Sequence, residues 1–503
     1  MEFSAGTLVF LVLISLPILV TLLSSRSTPS SNKRRPPGPW NLPFVGSLLR
    51  FLPGSPLQIT LRDLASKYGP VMFLRMGQVD TVVISSPAAA QEVLQEKDVL
   101  FASRPSLLYT EVFGYGSLDV AFAPYGAYWR TVRRLCTADL LSAKMVRQIG
   151  PIRNSETLSL IRKIQAASQC GKPVNLARML ISCANAITAK AAFGEACSAE
   201  LQEQFLGAID VALKLGSAFS FGDSFPSLQF VDALTGARRR MWRARYELDV
   251  FFDKIIARCE TQRGDDLVSV LLGIRDKGDL EFPMGTTNIK AIILDMYTAG
   301  TEMTSSAAEW VMSELMRHPE MMAKAQAEVR RVFDNKNAQD HESHTDQLPY
   351  LKMVIKESMR LNPVASLVLP RVCRETCDIA GYQIVEGTRV LINTWAMSRN
   401  PEYWPDAEKF RPERFEDGKI DYIGSRFEYL PFGAGRRRCP GDTFSMAMVE
   451  LIVARLLYYF DWSLPDGLRP DEINMDMSVG ATIRRKNQLH LVATPYKVVP
   501  MQN

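Results

Sequence analysis

Apolar residues fill positions 7–23 almost without a break, a run of about 17, the short end of what can cross a bilayer. Pro17 falls inside it. Further along, apolar positions recur at helical spacing over 288–317, 320–333, 350–361 and 444–459, with His318-Pro319 and Pro363 marking two of the ends. Short apolar runs at 71–75, 81–84 and 389–393 predict strands. The pattern predicts a mainly α protein with small β-sheets, and it shows no repeat at solenoid periods.

Charge placement decides how the N-terminal run is read. Glu2 is the only charged side chain before it, whereas Arg26, Lys33, Arg34 and Arg35 follow it. That favours an uncleaved anchor over a signal peptide and places the remainder of the chain on the cytosolic side. Arg34-Arg35-Pro36-Pro37-Gly38-Pro39-Trp40 then predicts a stiff extended arm, because proline fixes φ and denies the chain helix. The expected organisation is an anchor over 1–25, a basic, proline-rich hinge over 26–45 and one large catalytic domain over 46–503. At 503 residues and 47% hydrophobic content there is ample chain for one large core.

Net charge is only +5 and the basic residues are dispersed, so nucleic acid is not an expected partner. The eight cysteines include no C-x-x-C pair and read as free thiols in a reducing compartment. Of four histidines, His341 and His344 lie in a polar stretch expected to be a solvated loop, which argues against a histidine metal site.

One segment carries specific chemistry. Phe432-Gly433-Ala434-Gly435-Arg436-Arg437-Arg438-Cys439-Pro440-Gly441 fits F-x-x-G-x-R-x-C-x-G and precedes a predicted helix. At typical residue frequencies such a pattern recurs by chance in roughly one chain of this size in ten thousand. A cysteine that ligates iron must be deprotonated, and a helix N-terminus with nearby arginines favours the thiolate. Glycines let such a loop approach a flat cofactor closely.

On these residues the chain resembles the cytochrome P450 family. The resemblance implies the P450 fold, a single haem domain behind the anchor, haem b as cofactor, and Cys439 as the axial metal ligand with Phe432 at the start of its loop. Within the family, Glu357, Arg360 and Arg414 correspond to a buried charge triad. Trp129 and Arg133 lie four apart, on one helical face suited to a carboxylate; the resemblance assigns them, with Arg371 and Arg437, to the haem propionates. Ala299-Gly300-Thr301-Glu302-Met303-Thr304-Ser305 resembles the oxygen-binding groove, where Gly300 would open the helix beside the iron and Glu302 would join the proton-delivery chain. The groove's usual threonine is Met303 here, and a thioether is only a weak acceptor. Thr304 is the next hydroxyl, about 100° further round the helix, and does not simply replace it. Three outcomes stay open: a working monooxygenase using Glu302-ordered water or a substrate hydroxyl, a haem-dependent isomerase or dehydratase that does not use O2, or a haem-binding remnant.

Overall likeness is to plant microsomal members, most of all the grass diterpene oxidases of the syn-pimaradiene or stemodene type. That implies residence in the endoplasmic reticulum membrane and contact with membrane lipid. It also implies electrons from NADPH-cytochrome P450 reductase, docked on basic residues such as Arg134 and Arg438, and an apolar substrate. The implied pocket draws on Phe113, on Met296, Ala299 and Met303, on Leu367 within 364–369, and on Val479 within 478–481.

Overall fold

The computed structural model describes residues 35–499 apart from 52, 53, 170, 195, 196, 198, 218, 219, 479 and 481. The expected anchor and hinge residues 26–34 lie outside the described residues, as does Val479. No helix among the described residues is long and apolar enough to cross a membrane.

Ten helices position the site: α1 (Ala127–Leu135), α2 (Gly150–Ser168), α3 (Leu176–Phe193), α4 (Ala199–Ser217), α5 (Ala237–Thr261), α6 (Leu267–Lys277), α7 (Thr286–Arg317), α8 (Pro319–Phe333), α9 (Pro349–Leu361) and α10 (Asp442–Tyr459). The strands are β1 (Val71–Met76), β2 (Val79–Ile84), β3 (Val174–Asn175), β4 (Val368–Val372), β5 (Cys377–Ile379), β6 (Tyr382–Ile384), β7 (Arg389–Ile392), β8 (Phe460–Ser463) and β9 (His490–Pro495). The main sheet runs β1-β2-β7-β4; β2 and β7 are parallel, and the other pairings are antiparallel.

The central element is α7. The backbone N–H of Gly285 donates to Asn288 Oδ1 (2.9 Å) at its start, and Pro319 forces the break at its end. Most of its residues between Asn288 and Met316 are buried, so the helix runs through the interior. One core joins its C-terminal half to α2, α3, α8, α9 and α10; a second joins its N-terminal half to α3, α4, α5 and α6 and to residues 108–115. Glu357 and Arg360 of α9 are fully buried as a two-bond ion pair (2.7 and 2.8 Å), and Arg414 Nε donates to the same carboxylate at 3.1 Å.

Two local expectations change. Residues 338–347 form a 3-10 helix rather than a solvated loop, and His341 is 1% exposed, stacked on Phe333 at 4.1 Å. Amphipathic placement of one ring was hidden by its polar neighbours. The arm from Arg35 onward is not free: Phe73 N donates to Pro37 O (2.7 Å), the Arg35 guanidinium lies 3.3 Å from the Phe73 ring centroid, and Gly46 bridges to Met76. The proline stretch is extended, and it is laid along β1.

Candidate active site

The Cys439 loop is a folded turn whose shape two glycines permit. Gly433 (φ +69°) and Gly435 (φ +70°) occupy the left-handed region, and a Cβ on Gly435 would run into the Leu94 carbonyl oxygen. Cys439 N donates to Phe432 O (2.9 Å), and Gly441 N, at the start of α10, points at Cys439 Sγ (3.4 Å). Arg436 N donates to Asp98 Oδ2 at 2.8 Å, which pins the loop to the helix at 98–101.

Opposing influences act on the Cys439 thiol. Burial pushes it up, against the lowering influence of the Gly441 N–H, Arg133 and Arg438, while Asp442 adds to the rise. Arg438 is itself paired with Asp442. The Gly441 N–H, Arg133 and Arg438 thus favour the thiolate, as expected, with burial and Asp442 opposing them.

Guanidinium groups gather beside this loop. Arg437, nearly buried, lies 4.0 Å from the Trp129 ring centroid and donates to the carbonyls of Ala102 (2.7 Å), Val120 (3.3 Å) and Ala123. Trp129 Nε1 donates to the same Val120 carbonyl at 3.0 Å, and Arg133 donates to Arg438 O. Arg104, which sequence reasoning missed, donates to Ala121, Leu369 and Pro370 carbonyls. Burial lowers the pKa of Arg104, Arg133 and Arg437, the last to about 9, with neighbouring cations adding to the effect on each. Buried cations satisfied chiefly by carbonyls, next to a thiol, form a donor set that fits a porphyrin bearing two carboxylates.

Arg371, the other residue that the resemblance assigns to the propionates, also lies at the thiol loop. Its guanidinium pairs with Asp98 (2.9 Å) and donates to Ala434 O (3.3 Å), so it braces the thiol loop from beneath, while its Nε has no partner among the described residues.

Along α7 between 288 and 316 only Asp295, Met296, Thr298, Ala299, Glu302 and Met303 keep accessible surface, and Ala299 is exposed. At 100° per residue these six share one face of about 160°. Gly300, Thr301 and Thr304 lie on the other side. Gly300 does not open the helix, which is continuous; a Cβ there would meet Thr188 of α3 at 3.2 Å and Phe444 of α10 at 3.6 Å, so the glycine allows three helices to close up. Phe444 lies five residues beyond Cys439, and this packing brings the groove segment to the thiol loop. The hydroxyls of Thr301 and Thr304 are buried without partners among the described residues, and Met303 occupies the accessible face.

Glu302 is ion-paired with Arg484, whose Nε donates to Glu302 Oε2 at 2.9 Å. Asp295 Oδ2 accepts from Val120 N (3.0 Å) and Ala121 N (2.9 Å), fixing the peptide whose carbonyl Trp129 and Arg437 hold. Burial and the nearby Asp119 raise its pKa well above the usual carboxylate range. Asp295 was legible in principle, as a lone carboxylate four residues before Ala299 in an apolar run; Arg484 and Asp98 carried no local signal.

Of the expected pocket residues, Met296 packs half-buried against the α3–α6 core and Phe113 is buried in it, its ring 5.3 Å from Tyr109. Leu367 is half-buried against the cluster of Leu61, Met72, Leu74 and Leu391, on the sheet side.

Comparison with known proteins accords with this arrangement. The family model for cytochrome P450 matches residues 36–491. Cytochrome P450 99A2 from rice is 70% identical over 99% of this chain and 94% of its own length. Rice 9-beta-pimara-7,15-diene oxidase is 67% identical over 99% of both chains. A zebrafish cytochrome P450 solved with progesterone shares the fold at a TM-score of 0.76 and 24% identity, covering 88% of this chain and 100% of that one. With the family model covering residues 36–491 and relatives 67–70% identical over nearly the whole chain, the chain belongs to the cytochrome P450 family of haem monooxygenases.

Proposed function

We propose that the protein hydroxylates or further oxidises a labdane-related diterpene hydrocarbon at the endoplasmic reticulum membrane, using O2 and electrons from NADPH-cytochrome P450 reductase. The observation that carries this reading is the accessible face of α7, on which Met296, Ala299 and Met303 present an apolar surface. It suits a hydrocarbon, and a rice relative 67% identical is named for oxidation of a pimaradiene.

Haem, when bound, would supply the oxygen-activating chemistry, and Cys439 is the residue that would hold its iron. The remaining work falls to the chain. Trp129, Arg133 and Arg437 would exchange their carbonyl partners for the propionates. The Asp98–Arg371 pair keeps the thiol loop in place. Met303 supplies no proton at the accessible face, so proton delivery falls to water ordered by Glu302, whose carboxylate Arg484 positions. The reductase's acidic surface would meet exposed Arg134 and Arg436; Arg438, engaged by Asp442, contributes less than expected.

The test has two stages. The reduced carbon monoxide difference spectrum of the full chain should show a thiolate-type Soret band that Cys439→Ser loses; its absence from folded wild-type protein would remove the haem-thiolate reading. With reductase and NADPH, pimaradiene-type hydrocarbons should then yield oxygenated product. Rearranged product formed without O2 would favour an isomerase instead.

A further inference from the structure

Two cysteines outside the active site are held together by a bend in the chain. Cys373 follows β4, where its N–H donates to Thr388 O (2.9 Å) and its carbonyl accepts from Gly387 N (2.8 Å). Cys377 opens β5 directly opposite Ile384. The two therefore lie four residues apart on one side of the hairpin that leads into β7. A regular strand would separate such residues by about 13 Å. Instead the chain bends at Arg374 and Glu375, where the Cys373 thiol donates to the Glu375 carbonyl at 3.0 Å, and the two cysteine side chains come within reach of each other. Cys373 Sγ also lies 3.8 Å from the carbonyl of Ile384, the residue paired with Cys377, so Cys373 reaches the rung of the hairpin on which Cys377 sits.

Their surroundings differ in a useful way. Cys373 is completely buried, in the cluster with Ile379, Ile384 and Val390. Cys377 is half-buried and reaches solvent, with the Lys97 ammonium, hydrogen-bonded to Asp378 O, as the cation beside it. An accessible thiol next to a sheltered one is the arrangement in which oxidation of the first is resolved by the second. Lys97 assists the small thiolate fraction, although burial raises both thiols overall, Cys373 to about 12.

We propose that Cys373 and Cys377 form a reversible disulfide when the protein meets hydrogen peroxide. The Cys377 thiolate attacks one peroxide oxygen, the O–O bond breaks, hydroxide leaves and a sulfenic acid forms. The Cys373 sulfur then attacks the sulfenic sulfur, loses its proton, and water leaves as the S–S bond closes. One peroxide is reduced and two thiols are oxidised, and a dithiol reductant restores them by exchange. The bridge closes a five-residue turn that starts two residues after Arg371, the residue bracing Ala434 of the Cys439 loop. It would fix that brace under conditions in which exposed thiols are oxidised.

The sequence supplies a clean readout, because Arg374 separates the two cysteines and Arg371 precedes them. Haem-loaded, full-length protein is treated with a modest excess of hydrogen peroxide, alkylated under denaturing conditions, digested with trypsin without reduction and mapped by mass spectrometry. The expected result is that peptide 372–374 appears linked to 375–389, with the loss of two hydrogens, and that the link disappears after dithiothreitol. Cys377→Ser should leave Cys373 alkylatable after the same treatment. Cys373→Ala should drive Cys377 to sulfinic acid, because the resolving thiol is gone; its half-exposed partner makes Cys377→Ser the variant least able to disturb folding. Recovery of both cysteines as free thiols, or of Cys377 as sulfinic acid in wild-type protein with Cys373 untouched, would overturn the proposal.

Discussion

In the proposed reaction, Met303 stands where a hydroxyl would be expected to pass protons. The structure puts it on the accessible face of α7 and turns the nearest hydroxyl, Thr304, to the opposite side, 1% exposed. Restoring a hydroxyl by Met303→Thr should therefore raise the fraction of NADPH converted to oxygenated product several-fold and lower hydrogen peroxide release; unchanged coupling would show that Glu302-ordered water already suffices. Glu302 could be singled out from its place beside Gly300, but its partner could not, since Arg484 is 182 positions away. His341 makes the opposite point. Both its ring nitrogens lack partners among the described residues, and burial lowers its pKa from 6.5 to about 3, with Arg455 and His344 adding to the shift. The folded state thus holds it neutral, so stability is full above about pH 6.5 and is lost as pH falls towards 3. At pH 5 that loss is about 2 kcal/mol by linkage. His341→Phe, keeping the stack on Phe333, should remove this part of the acid sensitivity in denaturant titrations at pH 5 and 8; an equal pH response in both proteins would refute it.

Among the elements, the thiol loop and α7 were the most legible and the most instructive. The loop's glycines could be recognised from the motif, but not which of them is irreplaceable. Gly435 combines a left-handed φ with the Leu94 carbonyl oxygen lying where a Cβ would sit, whereas a Cβ on Gly433 would meet nothing within 4 Å. Gly435→Ala should cost the protein its thiolate-type carbon monoxide band, and Gly433→Ala, which meets only backbone strain of about 1 kcal/mol, should retain most of it; equal loss in both would mean that φ alone decides. For α7, the apolar periodicity predicted the helix to within two residues of its start, Thr286 against 288. The groove resemblance implied that Gly300 opens the helix, whereas it sits at a three-helix contact; the two kinds of glycine look alike in one dimension.

Across the whole molecule, the charge triad shows how the fold is locked. Glu357 accepts from Arg360, from Arg414 and from the backbone N–H of Arg411 (2.8 Å), and Arg360 also donates to the carbonyls of Ser398 and Ala407. This ties α9 to the 398–415 segment that precedes the thiol loop. Glu357→Ala leaves two buried guanidiniums without their carboxylate, a loss of about 3–5 kcal/mol. Little folded holoprotein should be recovered, and a variant with normal haem content and thermal stability would contradict this account. By itself the sequence determined the mainly helical class, the family, the cysteine proposed to hold iron and the departure at Met303, because hydrophobic period and a short contiguous motif are local properties. Only the tertiary structure decided that Arg371 braces the loop, that Arg484 holds Glu302, that Asp295 fixes Val120 and that Cys373 meets Cys377. Each of those depends on a bend or on segments far apart in the chain, and the pairing that satisfies a buried charge is set by packing rather than by neighbours in sequence.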